Sequence, residues 1–127
     1  MTTTASWPGT PRAITLFVAD LATAKHFYQR AFGRPATYED DHSAVYTLGA
    51  TMINLLHRSQ APALIAPATA GTNPTFVLTL AVDDVDTTCA ELAAAGITPL
   101  NGPMDRPWGI RTASFQDPDG HIWEIAR

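Results

Sequence analysis

The sequence predicts an α+β fold of two tandem βαβββ modules, and three observations carry that prediction. The order strand, helix and three strands is written twice along the 127 residues. Val18-Ala19-Asp20-Leu21 reappears as Val82-Asp83-Asp84-Val85 at an offset of 64 residues. In both copies an aspartate stands where a helix N-cap belongs and a glycine, Gly33 or Gly96, follows the helical pattern. Short carboxylates accept from the free amides of a first turn, and glycine suits the left-handed position past a last turn.

Residues 1–12, rich in Thr and holding Trp7, Pro8, Gly9 and Pro11, read as a flexible leader. Module one, residues 13–57, begins with a strand over Ala13–Val18, in which Ile14, Leu16 and Val18 alternate with Ala13, Thr15 and Phe17. Period two assigns the first set to the helix side and the second to the opposite face. Leu21, Ala24, Phe27/Tyr28 and Ala31 recur at helical spacing, predicting a helix over Leu21–Phe32 with Phe27, Tyr28 and Phe32 in the core. Strands follow near Ala36–Glu39, Ala44–Leu48 and Thr51–His57, the last with Ile53 and Leu55 inward and Met52, Asn54 and Leu56 on the other face. Tyr46 falls either on the open face or at a subunit seam. The Pro/Ala-rich stretch 58–73 reads as a linker or a lid.

Module two, residues 74–127, repeats the pattern: a strand over Thr75–Val82, a helix over Val85–Ala95, and strands near Thr98–Leu100, Ile110–Gln116 and His121–Ala126. Leu78, Leu80 and Val82 take the helix side and Val77, Thr79 and Ala81 the open face. Cys89 sits on the buried helical stripe, a structural place. In Asp117-Pro118-Asp119-Gly120, Pro118 presets φ, Gly120 accepts positive φ, and Asp117 can bond forward onto the turn. This hairpin fixes the register of Ile122-Trp123-Glu124-Ile125, sending Trp123 and Ile125 to the core and Glu124 to the open face.

Composition narrows the function classes. The chain is 46% apolar and 16% charged, with net charge −4, a single lysine (Lys25) and scattered arginines, which argues against nucleic acid. One cysteine excludes an internal disulfide, and neither a signal peptide nor a long apolar run is evident, so a cytoplasmic protein is expected, not a membrane one.

Phe17-Val18-Ala19-Asp20-Leu21, Phe27-Tyr28, Phe32-Gly33 and Asp117-Pro118-Asp119-Gly120-His121-Ile122-Trp123-Glu124 together resemble the vicinal-oxygen-chelate superfamily. This group holds glyoxalase I, the extradiol dioxygenases, fosfomycin-resistance enzymes and bleomycin-resistance proteins. The resemblance covers Ala13 to Ala126 and implies an eight-stranded mixed sheet curled into a cup, helices outside and ligand inside. Metal-using members draw their ligands from four equivalent cup positions, which here hold Ala13, Asn54, Val77 and Glu124. Two of these are hydrocarbon, so no catalytic metal and no cofactor are expected. His26 on a helix, His42 in a loop, His57 at a strand end and His121 in the turn form no ligand set.

The resemblance thus points to metal-free, bleomycin-resistance-like members: a homodimer sequestering a planar or partly aromatic small molecule, an antibiotic or metabolite. Trp108, in Arg106-Pro107-Trp108-Gly109, offers a stacking surface, and Phe17, Thr15, Met52, Asn54 and Thr79 line the cup. Arg111 pairs with Glu124, reaches an acidic ligand group or faces solvent. Glu124 serves as hydrogen-bond acceptor or, if desolvated, as general base. The alternatives are a metal-dependent lyase, isomerase or dioxygenase, and a metal-free enzyme with Glu124 as base.

Overall fold

The computed structural model describes residues 9–127; most of the leader, with Trp7, lies outside the described residues. In chain order the elements are β1 (Ala13–Val18), α1 (Leu21–Phe32), β2 (Tyr38–Glu39), β3 (Ser43–Leu48), β4 (Thr51–His57), α2 (Ala61–Ile65), β5 (Val77–Ala81), α3 (Val85–Ala94), β6 (Asn101–Asp105), β7 (Arg111–Gln116) and β8 (Ile122–Ala126). The repeat is real: each module is βαβββ. Its eight strands lie in two four-stranded mixed sheets, ordered β1-β4-β3-β2 and β5-β8-β7-β6, with the first strand of each module parallel to the last.

Both long helices start as their caps dictate. The Asp20 carboxylate accepts from Thr23 N at 2.9 Å, and Asp84 accepts from Thr87 N at 3.0 Å. Gly33 ends α1 at φ 67°, its N–H donating to the Gln29 carbonyl. Arg30 of α1 donates to the Ala95 carbonyl at 3.0 Å, so one helix caps the C-terminal end of the other.

One core serves both modules. Leu16, Val18, Ile53 and Leu55 from the first sheet join Phe115, Trp123 and Ile125 from the second, and α1 touches both. The Tyr28 ring lies 6.3 Å from Tyr46 and 5.9 Å from Trp123, while Phe27 lies 6.2 Å from Phe115. Edge and tilted contacts of this kind add to the burial of each ring. Because the helix-side faces of both sheets converge on α1, their other faces look away from the core. The face assignments read from period two hold throughout: Trp123, Ile53, Leu55 and Ile125 are buried, and Thr79 and Val77 are exposed.

Four expectations need correction. The strand expected at 98–100 lies at Asn101–Asp105, an edge strand with an irregular register against β7, which is why it tolerates Pro103. The 58–73 connection, expected as a linker or a lid, carries a 3-10 turn, Arg58–Gln60, that leads into α2, whose first turn carries Pro62. Tyr46 lines neither an open face nor a seam; it is fully buried, its hydroxyl donating to the Lys25 carbonyl at 3.3 Å. Tyr38–Glu39 alone remain of the longer strand expected near Ala36, and β5 starts at Val77. No helix among the described residues is long and apolar enough to cross a membrane.

Candidate functional site

Strand register builds two polar pairs, one on the open face of each sheet. Thr15 stands beside Asn54 in the β1–β4 ladder, and the Asn54 amide donates to Thr15 Oγ1 at 3.4 Å. Thr79 stands beside Glu124 in the β5–β8 ladder, and the Thr79 hydroxyl donates to Glu124 Oε1 at 3.0 Å. The pairs are equivalent by the internal repeat. Among the described residues no side-chain hydrogen bond joins one to the other, and they sit on separate sheets. Met52 and Phe17 are half-buried next to the first pair; Val77, 54% exposed, neighbours the second.

The four cup positions hold Ala13, Asn54, Val77 and Glu124. A catalytic zinc site takes about three nitrogen or carboxylate donors. Here two side chains are hydrocarbon, one is an amide and the last is a half-exposed carboxylate already accepting from Thr79. Among the described residues no three His, Cys, Asp or Glu side chains converge. These positions do not fit a catalytic ion.

Trp108 is 67% exposed, lying off the core on the 106–109 loop with the Arg106 guanidinium 5.8 Å from its ring centroid. Arg106 is itself anchored to Thr112 Oγ1 at 2.8 Å. Arg111 does not meet Glu124: its guanidinium donates to Asp86 at 2.9 Å and to Asp105 at 3.1 Å, tying α3 to β6 and β7 at the surface. Two acidic neighbours on its own side of the sheet outcompete a carboxylate on another strand. Of the histidines, His26 and His42 are exposed, and His57 Nδ1 lies 2.7 Å from Ser59 Oγ. Cys89 is buried, which pushes its thiol pKa up, as a structural cysteine requires.

Sequence reasoning missed the most ordered polar cluster. Trp123 Nε1 donates to the Tyr28 hydroxyl at 2.9 Å, and that hydroxyl donates to Asp117 Oδ2 at 2.6 Å. His121 Nδ1 lies 2.7 Å from the same oxygen, and Asp117 Oδ1 accepts from the amides of Asp119 and His121. Burial of Asp117, 5% exposed, raises its pKa, but the bonds from His121, Tyr28 and the turn amides outweigh that and hold it below the usual carboxylate range. Burial, reinforced by Asp117, keeps the Tyr28 phenol protonated far above its ordinary range. A second tie runs from Ala19 N to Asp119 Oδ1 at 2.9 Å. The Asp-Pro-Asp-Gly turn thus clamps module two onto α1 of module one. The available signal was two core aromatics, Tyr28 and Trp123, whose polar tips needed a buried partner.

Comparison with known proteins agrees with this geometry. Residues 11–125 match the glyoxalase/bleomycin resistance protein/dioxygenase superfamily. YraH of Bacillus subtilis (strain 168) is 31% identical over 119 residues, spanning 88% of this chain and 93% of that protein. The crystal structure of a glyoxalase-related enzyme from Fulvimarina pelagi superposes with a TM-score of 0.80 at 26% identity, covering 92% of this chain and 86% of that one. Lactoylglutathione lyase from Agrobacterium tumefaciens shares the fold at a TM-score of 0.75 and 22% identity, covering 94% of this chain and 93% of its own. The two βαβββ modules, and a family match that spans nearly all of both, make this chain a member of the glyoxalase/bleomycin resistance protein/dioxygenase superfamily.

Proposed function

We propose that the protein binds a small, planar or partly aromatic organic molecule without a catalytic metal, an antibiotic or metabolite being the class intended. The observation that carries this reading is the set of side chains at the four cup positions, Ala13, Asn54, Val77 and Glu124. They offer apolar walls with a few fixed polar groups, the usual make-up of a small-molecule site. Asn54 and Glu124 are oriented by Thr15 and Thr79, so each presents its remaining hydrogen-bonding capacity in a defined direction. Trp108 supplies an exposed ring for stacking.

The two pairs lie on different sheets, and in this reading the working unit is a homodimer whose cup joins module one of one chain to module two of a second copy. Val77 and Trp108, both large and exposed, support such a partner. A metal-free enzyme is the second reading. It is favoured by Glu124, whose carboxylate makes one side-chain hydrogen bond among the described residues and so keeps an oxygen for a substrate proton.

Tryptophan fluorescence titrated against a panel of aromatic compounds tests the proposal. Saturable quenching by at least one compound, weakened in Trp108→Ala and in Glu124→Gln, is the expected result. Quenching that Trp108→Ala leaves unchanged refutes stacking, and a monomer by sedimentation equilibrium refutes the shared cup.

A further inference from the structure

A cavity of about 270 Å³ lies at the seam where the edge strand β1 approaches the chain entering β5. Its walls include Phe17, Pro74 and Phe76, and its polar lining includes Thr15, Asn73, Thr75 and His121. Arg58, which donates to the Gly71 carbonyl, holds the 71–76 wall in place. None of Glu124, Asn54 or Trp108 lines this cavity, and it shares only Thr15 and Phe17 with the cup proposed above.

The hydrogen-bond chain behind His121 fixes which nitrogen carries the proton. An indole N–H only donates, so the Tyr28 hydroxyl accepts from Trp123 and spends its one hydrogen on Asp117. Asp117 is ionised, because its donors hold its pKa low. The proton in the 2.7 Å contact between Asp117 and His121 therefore belongs to Nδ1. In the neutral ring Nε2 is then a bare acceptor. It makes no hydrogen bond among the described residues, and it is not sealed from solvent. The ring is 20% exposed and cannot rotate without breaking the bond to a buried carboxylate.

We infer that this seam cavity is a second ligand site, one that takes a small hydroxyl-bearing ring such as a phenol, with His121 Nε2 accepting a hydrogen bond from the hydroxyl and Phe17 and Phe76 holding the ring. A ring nitrogen held in one orientation beside aromatic side chains selects for a donor on a flat apolar body. The volume, just below the range of about 300–1,000 Å³ for organic ligands, limits the guest to a single ring with small substituents.

The probe is phenol, with toluene as the control that replaces hydroxyl by methyl. Nitrogen-15 long-range NMR of the imidazole rings reads both tautomer and binding. In the full-length wild-type protein the neutral form of His121 is expected to show a protonated Nδ1 and a bare Nε2. Phenol should shift Nε2 saturably, and toluene should bind at least tenfold more weakly. Phe76→Ala, a change at a 49% exposed position that keeps the fold, should weaken phenol three- to tenfold. A proton on Nε2, a shift that does not saturate, or toluene binding as well as phenol overturns the inference. The part of the fluorescence quenching that is lost in Trp108→Ala reports the cup and the His121 Nε2 shift reports this cavity, so either reading can fail alone.

Discussion

Replacing Tyr28 by Phe removes one oxygen and leaves the aromatic packing of α1 in place. That oxygen accepts from Trp123 Nε1 and donates to Asp117 Oδ2, and both partners are buried. A hydrogen bond to a charged group is worth about 1.5–3 kcal/mol net, and a buried donor left without a partner costs about 1–3 kcal/mol. The two losses share one atom and do not add fully, so the expected destabilisation is about 3–4 kcal/mol. For a chain of this length that is a drop in Tm of roughly 10–15 °C. Urea unfolding at pH 7, followed by circular dichroism, measures it: the midpoint should fall with the slope unchanged. A loss below about 1 kcal/mol would refute the claim that this cluster clamps the modules together.

Further outcomes follow from the same structure. Asp117 has a depressed pKa in the fold, so its contribution is present above the unfolded carboxylate value of about 3.9 and is lost as pH falls below it. Acid unfolding should therefore steepen below about pH 4, and Tyr28→Phe should move that limb to higher pH; an unmoved limb would exclude Asp117 as its source. Gly102→Ala places a Cβ 2.5 Å from the Thr112 carbonyl at φ +81°, and should cost about 2–4 kcal/mol by thermal melts. A variant as stable as wild type would show that β6 can move away from β7. Leu55→Ala empties a fully buried position and should cost about 2–5 kcal/mol, against no change in ligand affinity.

Local chemistry was the legible part. α1 starts and stops where Asp20 and Gly33 say it must, β1 and β4 have the limits their alternation implies, and the Asp-Pro-Asp-Gly turn sets the register that points Glu124 outward. The elements misread are those whose pattern is weak. β6 is polar, carries a glycine and a proline and has no alternation, so only pairing with β7 defines it. For Arg111 the sequence offers Glu124, a ligand or solvent and does not reveal Asp86 and Asp105, because these come from α3 and β6, a proximity that only tertiary packing creates. The link from Tyr28 to Asp117 spans 89 residues and belongs to the packing of two modules, which the periodicity of neither one encodes.

The most direct test of a metal-free cup is equilibrium dialysis of the purified protein against Zn²⁺, Ni²⁺ and Fe²⁺ in turn, followed by elemental analysis of wild type and Glu124→Gln. Hydrocarbon at Ala13 and Val77 predicts far less than one ion per chain for every metal, with no difference between the two proteins. One ion per chain in the wild type, lost when Glu124 is replaced, would contradict that account.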